Sequence, residues 1–334
     1  MAPSGKRKPV FHLLRVAELD RITDDAVAIT FDVPEALAGE YRFTAGQHLA
    51  LRCTIAGDDV RRNYSICTPA SSGRLRVGVK LLPGGVFSSY ARDRLRVGDT
   101  IEVLTPTGQF FTPLDPGQAK HYGAVAAGSG ITPILSIIAS ALEVEPGSRA
   151  TLVYTNRTTS SIMFLEELED LKNRHLGRFQ LIHVLGDEWR EAELLTGRLD
   201  HDRLTGLLDA LVAPDVDEWF LCGPLDLTET VHDTLVGRGF DPDHIHRELF
   251  HVDPLPPRPP RTAPDAEADD GAKVTVVLDG RGTSFTLAPD GEPILDAALR
   301  LRGDAPYACK NGVCGTCRAK LVEGKVEMAQ NFAL

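Results

Sequence analysis

From residue 120 to residue 250 strand-like runs alternate with helical ones, and no other feature of the sequence restricts the fold as much. The runs HYGAVAA, ATLVYT, FQLIHVL, EWFLCG and HIHREL are short and apolar. Between the second and third, Ile162, Leu165, Leu168 and Leu171 recur at helical spacing beside Glu166, Glu167, Glu169 and Asp170. Parallel neighbours need a long crossover, so strand–helix alternation of this kind builds a parallel α/β sheet.

The sequence on either side has a different rhythm. Residues 9–113 contain AVAITFDV, GQHLALRCTI, RLRVGVKLL and DTIEVLTPTG, separated by Gly, Asp and Pro. This spacing predicts an antiparallel β-barrel or sandwich, interrupted by one helix beginning near Ser88. Residues 253–272, DPLPPRPPRTAPDAEADDGA, are proline-stiffened and then small and acidic, and they read as a linker. From Lys273 a hairpin-like pair, KVTVVLDG and TSFTLA, leads to a helical pattern and a cysteine-bearing loop. The expected layout is therefore residues 1–115, 116–252, a linker at 253–272, and 273–334. There is no internal repeat.

A chain of 334 residues suffices for two or three domains with their own cores. Its net charge of −11 argues against a nucleic-acid footprint, which needs a basic face, and suits a basic protein partner instead. The basic start MAPSGKRKPVFHLLRV has no sustained apolar run, so no signal peptide is expected. Residues 122–142 lack charge, yet Gly128, Ser129, Gly130 and Pro133 interrupt them, which excludes a membrane-spanning reading. The six cysteines are three scattered and three clustered, unlike a disulfide framework, and a cytoplasmic compartment is expected.

Three places could hold chemistry. In GAVAAGSGITPIL a strand ends at Gly128-Ser129-Gly130 and a helix opens near Pro133, an arrangement suited to a pyrophosphate or to an ordinary turn capped by Thr132. In RRNYSIC, Arg62 can pair with phosphate and Tyr64 offers a flat face to an aromatic ring. Gly84 and Gly85, ahead of the helix near Ser88, form a second possible phosphate cradle. The third place is ACKNGVCGTCRAK, where Cys309, Cys314 and Cys317 follow the Cys-x4-Cys-x2-Cys spacing of a plant-type [2Fe–2S] loop. A cluster needs four protein sulfurs, and 17 residues follow Cys317 without another cysteine. A trimmed piece of a longer protein, a naturally shortened one without a cluster, and a zinc loop remain alternatives. The ten histidines show no metal-ligand spacing. His48 reads as a packing or solvent-facing residue, and Cys53 and Cys67 as small core or near-flavin residues.

In order along the chain, Arg62-x-Tyr64-Ser65, Gly85-x-x-Ser88, Gly128-x-Gly130-x-x-Pro133 and Cys222-Gly223-Pro224 resemble the ferredoxin–NADP reductase superfamily. The cysteine loop makes the chain similar to the subclass carrying a C-terminal plant-type ferredoxin domain. FHLLRVAELDRIT, FTAGQHLALR and YTNRTTSSIMFLEEL look most like the reductase components of ring-1,2-phenylacetyl-CoA epoxidases. The resemblance implies a β-barrel for FAD, an α/β domain for the nicotinamide dinucleotide and an incomplete β-grasp ferredoxin domain. It implies that Arg62 binds the flavin phosphate region, Tyr64 stacks on the isoalloxazine, and Ser65 hydrogen-bonds near its reactive nitrogen. Gly84, Gly85 and Ser88 would hold the pyrophosphate; Gly128, Gly130 and Thr132 would hold the dinucleotide. Cys222, Gly223 and Pro224 would lie at the nicotinamide end, Glu248 and Phe250 would line the flavin, and Cys309, Cys314 and Cys317 would bind iron.

An arginine at the adenosine ribose accommodates a 2′-phosphate, whereas an acid there suits the 2′-hydroxyl of NAD. Strand TLVYT runs into Thr155-Asn156-Arg157 with no acid before Glu166, so NADPH is the expected donor. The expected path is NADPH to FAD to [2Fe–2S] to an oxygenase component, with the linker letting the ferredoxin domain move between flavin and partner. A cluster-free NAD(P)H:flavin or quinone reductase, and a reductase serving a Rieske-type or other di-iron oxygenase, are the alternatives within enzymes. A non-catalytic partner-binding protein on a lapsed reductase fold is the alternative outside them.

Overall fold

The computed structural model describes residues 9–250, 271–278, 280–288, 291–303, 305–310 and 312–331. They fall into two units that divide at Val252 and Asp253. The stretch read as a linker lies outside the described residues except for 271 and 272.

The first unit opens with β1 (Phe11–Thr23), β2 (Ala26–Asp32), β3 (His48–Ile55), β4 (Asp58–Ser65) and β5 (Leu75–Lys80). Helix α1 (Val86–Asp93) and β6 (Thr100–Leu104) complete this half. The six strands form one antiparallel sheet in the order β4-β3-β6-β1-β2-β5. It curls until its two edges touch at one end, where Ile66 bridges Val77 and the Cys67 N–H donates to the Arg76 carbonyl at 3.0 Å. The expected barrel is thus a half-barrel, closed at that end only. Its interior is filled by alternate residues such as Leu14, Val16, Ile29, Leu49, Leu51, Val77 and Val103. Helix α1 starts at Val86, two residues before the expected Ser88, because Gly85 supplies the extended residue that precedes it.

The second half contains β7 (His121–Ala127), α2 (Ile131–Val144), β8 (Arg149–Asn156), α3 (Leu165–Arg174) and β9 (Phe179–Leu185). It continues with α4 (His201–Leu211), β10 (Glu218–Gly223), α5 (Leu225–Gly237) and β11 (Ile245–Leu249). The parallel sheet runs β11-β10-β7-β8-β9. After β7 the chain moves to one side for β8 and β9, then crosses to the other for β10 and β11. Such a reversal opens a crevice at the carboxyl ends of the two central strands, here β7 and β10. Helix α3 starts one turn later than the apolar spacing suggests, since Phe164 sits at φ +58° and blocks helix upstream.

Helix α2 explains the charge-free run. Twelve of its fourteen residues are buried. One apolar core joins its Ile131, Ile134, Ile138 and Leu142 to Ala26, Ala28 and Phe110 of the half-barrel side and to Ala124, Leu152 and Phe220 of the parallel sheet. A helix covered on both sides has no polar face. Its serines are hydrogen-bonded to the half-barrel: Ser136 Oγ donates to the Thr68 carbonyl at 2.6 Å, and Ser140 Oγ accepts from the Ala70 N–H at 3.0 Å. Close to this contact Gly78 has no room for a side chain, because a Cβ would lie 2.8 Å from the Thr132 methyl and 3.0 Å from the Phe164 ring. Arg76 adds a polar tie, pairing with Asp20 at 3.3 Å and Glu167 at 3.1 Å over the Phe164 ring.

The second unit holds a two-stranded antiparallel sheet, β12 (Ala272–Leu278) and β13 (Arg281–Leu287), followed by α6 (Ile294–Leu301). The cysteine loop follows α6. Residues 318–331 add no further strand.

Ser136→Ala, which strips the buried Thr68 carbonyl of its partner, is expected to destabilise the first unit by about 1–2 kcal/mol in urea unfolding.

Candidate functional site

Crevice and flavin-side residues converge on one place. The turn after β7 places Gly128 at φ +51°, and Gly130 approaches β10 so closely that a Cβ would lie 2.1 Å from the Cys222 carbonyl oxygen. Gly223 is similarly tight, its Cβ position 3.0 Å from the Ala127 methyl, and Pro224 precedes α5. Cys222 faces Glu248 across the β10–β11 ladder. Burial, with the nearby Glu248 charge, pushes the Cys222 thiol well above its ordinary range, so it stays a neutral, compact wall. The Thr132 hydroxyl donates back to the Ser129 carbonyl at 3.1 Å, which shapes the turn.

Ser65, at the end of β4, is 2% exposed, and its hydroxyl donates to Glu248 Oε2 at 3.1 Å. The other carboxylate oxygen, Oε1, lies 3.8 Å from His48 Nδ1, and His48 Nε2 is hydrogen-bonded to the Thr107 hydroxyl at 3.2 Å. His48 pairs with Ser65 in the β3–β4 register, which brings it here. It is buried against this carboxylate, so of the two readings it packs rather than faces solvent. Gly108, at φ +120°, makes the room, since a Cβ there would lie 3.0 Å from His48 Nδ1. Thr107, His48, Glu248 and Ser65 thus form a polar chain linking the half-barrel to the last strand of the parallel sheet.

Tyr64, half-buried, packs its ring 5.3 Å from Phe87, and burial raises its phenol far above the ordinary value. Arg62 is exposed and, among the described residues, donates to the Arg61 carbonyl alone, at 2.7 Å. Between them both ends of the Asn63 amide are buried without a partner, a position that sequence reasoning passed over. Gly84 lies at φ +72° with open space around it, while the Ser88 hydroxyl accepts from the Leu82 N–H and donates to the Gly85 carbonyl, both at 3.2 Å. Ser88 therefore shapes the loop from within. Phe250 follows β11 and is exposed. A guanidinium without an acid among the described residues, a flat phenol, an orphaned amide and an open glycine loop fit an aromatic cofactor with a phosphate tail.

At the outer strands Asn156 ends β8 and is 8% exposed. Its amide lies near the Tyr154 hydroxyl, yet neither end meets a partner at hydrogen-bond geometry. Arg157 is exposed and has no ion pair among the described residues. His183, opposite Tyr154 on β9, has both ring nitrogens buried and unpartnered. Burial, reinforced by Arg190 and Lys172, lowers its pKa to about 4.

In the second unit the cysteine loop turns through Lys310 (φ +57°), Gly312 (φ +70°) and Gly315 (φ +64°). Gly312 presses on the Gln330 carbonyl, 2.4 Å from its Cβ position, so this contact admits no side chain. A hydrogen bond from Cys309 holds the Cys314 thiol well below its ordinary range, and Thr316 adds a 3.2 Å bond. The loop thereby brings Cys309 and Cys314 into contact, with Cys317 half-buried nearby. Among the described residues no group of three or more metal-ligand side chains is gathered closely enough to hold an ion.

Comparison with known proteins gives these sites their context. The oxidoreductase FAD-binding domain family matches residues 13–111, the oxidoreductase NAD-binding domain family residues 124–233, and the 2Fe-2S iron-sulfur cluster binding domain family residues 276–333. The chain is 44% identical to one of the subunits of 1,2-phenylacetyl-CoA epoxidase from Escherichia coli, over 97% of this chain and 90% of that protein. It belongs to the oxygenase-reductase branch of the ferredoxin–NADP reductase superfamily. The reductase is also 35% identical to the ferredoxin reductase component of 3-ketosteroid-9-alpha-monooxygenase from Rhodococcus rhodochrous, over 98% of this chain and 89% of that one. Among solved structures it is similar to phthalate dioxygenase reductase, with TM-score 0.62, 26% identity, and coverage of 92% of this chain and 85% of that chain. Like these relatives, it joins FAD-binding, NAD-binding and 2Fe-2S domains in one oxidoreductase chain. Among its described residues no helix is long and apolar enough to cross a membrane.

His183 is held neutral in the folded state, so the unfolded chain binds the extra proton between its ordinary value near 6.5 and the folded value near 4. Stability should therefore be fullest above that window and fall as pH drops through it. Urea midpoints measured from pH 7 to pH 4 are expected to lose part of this slope in His183→Gln.

Proposed function

We propose that this reductase takes a hydride from NADPH at the β7–β10 crevice and feeds the oxygenase component of a phenylacetyl-CoA-type epoxidase in the cytoplasm. The observation that carries the reading is the Ser65–Glu248 hydrogen bond at 3.1 Å, beside Cys222 and the Gly128–Gly130 turn. It sets a hydroxyl and a carboxylate from different sheets at the spot where the dinucleotide cradle and the flavin-side residues meet. The oxygenase identity rests on the 44% identity to the Escherichia coli protein.

FAD, when bound, supplies the conversion between a two-electron hydride and the single electrons that [2Fe–2S] chemistry uses. The chain's own residues do the rest. Arg62 and the Gly84–Gly85 turn neutralise and admit the phosphate tail, and Tyr64 offers its ring face to the flavin. Gly128 and Gly130 bring backbone close to the dinucleotide pyrophosphate, and Gly223 with Pro224 bounds the nicotinamide end. Ser65 holds a proton at its Oγ in a hydrogen bond to the Glu248 carboxylate. That carboxylate lies 3.8 Å from His48, which Thr107 hydrogen-bonds on the side away from the crevice. The buried Cys222 thiol and Phe250 help to exclude water. Arg157 takes the adenosine 2′-phosphate, with Asn156 beside it. Cys309, Cys314 and Cys317 are the thiolates for iron, and the net charge of −11 favours a partner with a basic docking face.

Purified protein is expected to show flavin absorption that bleaches anaerobically on adding NADPH; a broad iron–sulfur shoulder would distinguish the cluster-bearing form from a flavin-only reductase. Arg157→Ala should lower kcat/KM for NADPH by at least about tenfold and leave NADH within about twofold. Equal losses with both donors would contradict the NADPH assignment.

A further inference from the structure

The strand following α3 carries a feature that β8 alone does not reveal. Beyond β9 the chain continues alongside β8: the Gly186 N–H donates to the Asn156 carbonyl and the Asp187 N–H to the Arg157 carbonyl, each at 2.8 Å. That pairing delivers Glu188 to the first turn after β8. One carboxylate oxygen accepts from the Thr159 N–H and the other from the Thr159 hydroxyl, both at 2.7 Å. These bonds hold the Glu188 carboxyl below its ordinary value, so it is anionic at neutral pH.

One cation, Arg190, acts on this anion without an ion pair to it among the described residues. The exposed Arg157 has no ion pair among the described residues either. Arg190 Nε is buried without a partner, and the neighbouring Asn156 amide is likewise unsatisfied. Trp189, between Glu188 and Arg190, is 77% exposed. The Arg190 charge and two donors on Thr159, two residues beyond the exposed Arg157, make a seat for a dianion, and a carboxylate of the chain already occupies the donors.

We infer that Glu188 is a specificity-determining residue, competing with the dinucleotide 2′-phosphate for the Thr159 donors beside Arg190. The inference rests on the NADPH reading above and deepens it. To seat a 2′-phosphate, the Thr159 donors must be released by Glu188, and two like charges at one seat repel. A ribose 2′-hydroxyl imposes no such demand, because a carboxylate accepts its hydrogen bond. Glu188 therefore restrains the preference that the two arginines create, and it is the reason that preference stays finite.

The test is calorimetric binding of 2′,5′-ADP and 5′-AMP to the flavin-loaded protein, in wild type, Glu188→Gln, Glu188→Ala and Arg157→Ala. Both Glu188 variants should bind 2′,5′-ADP at least about fivefold tighter, with 5′-AMP unchanged or up to about twofold weaker. Unchanged or weaker 2′,5′-ADP binding in both Glu188 variants overturns the inference. Arg157→Ala reports separately: a loss confined to 2′,5′-ADP upholds the NADPH reading whatever Glu188 does. No change there overturns that reading.

Discussion

The hydrogen bond from Ser65 to Glu248 ties together residues that lie 183 positions apart, and the functional half of the molecule depends on it. Ser65 ends the outermost strand of the half-barrel, and Glu248 lies on the outermost strand of the parallel sheet. The two meet only because α2 is buried between the sheets and its Ser136 and Ser140 bond to the half-barrel loop. Gly78 and Gly130 permit the final approach, since a side chain at either would strike Thr132 or the Cys222 carbonyl. Packing, backbone contact and polar tie thus fix one crevice, and cofactor chemistry is placed in it.

The parallel sheet was readable almost residue by residue. HYGAVAA, FQLIHVL and EWFLCG coincide with β7, β9 and β10. Strands β7 and β10 are buried and parallel and so are continuous apolar runs with sharp ends, while the edge strand β9 keeps enough buried residues to read the same way. The glycine positions were readable for a similar local reason, as Gly128 takes a positive φ and Gly130 has no room for a Cβ. The lack of charge in residues 122–142 was harder. It reflects tertiary burial of α2 on two sides, which a single helix pattern cannot distinguish from other kinds of burial.

What stayed hidden was long-range. His48 and Glu248 are 200 positions apart, and nothing near GQHLALR tells that the imidazole turns towards a carboxylate. Asn63 looked like a spacer between Arg62 and Tyr64, yet its amide is the buried orphan of that strand. The absence of an acid between Arg157 and Glu166 was correct along the chain, but Glu188 reaches Thr159 from the next strand. The proposed ribose site is assembled from two strand ends, and a rule applied to one of them sees half of it. In the ferredoxin-like unit the loop was the legible part: three cysteines, with glycines at two of the three positive-φ positions that let the backbone turn around them.

The central claim is that the Ser65–Glu248 pair serves hydride transfer at the crevice. Anaerobic stopped-flow reduction of the bound flavin by NADPH, in wild type and Glu248→Gln, tests it most directly. The account predicts that the substitution slows flavin reduction by at least about tenfold while flavin content and 2′,5′-ADP affinity are retained. Reduction at the wild-type rate, with flavin fully bound, would contradict it.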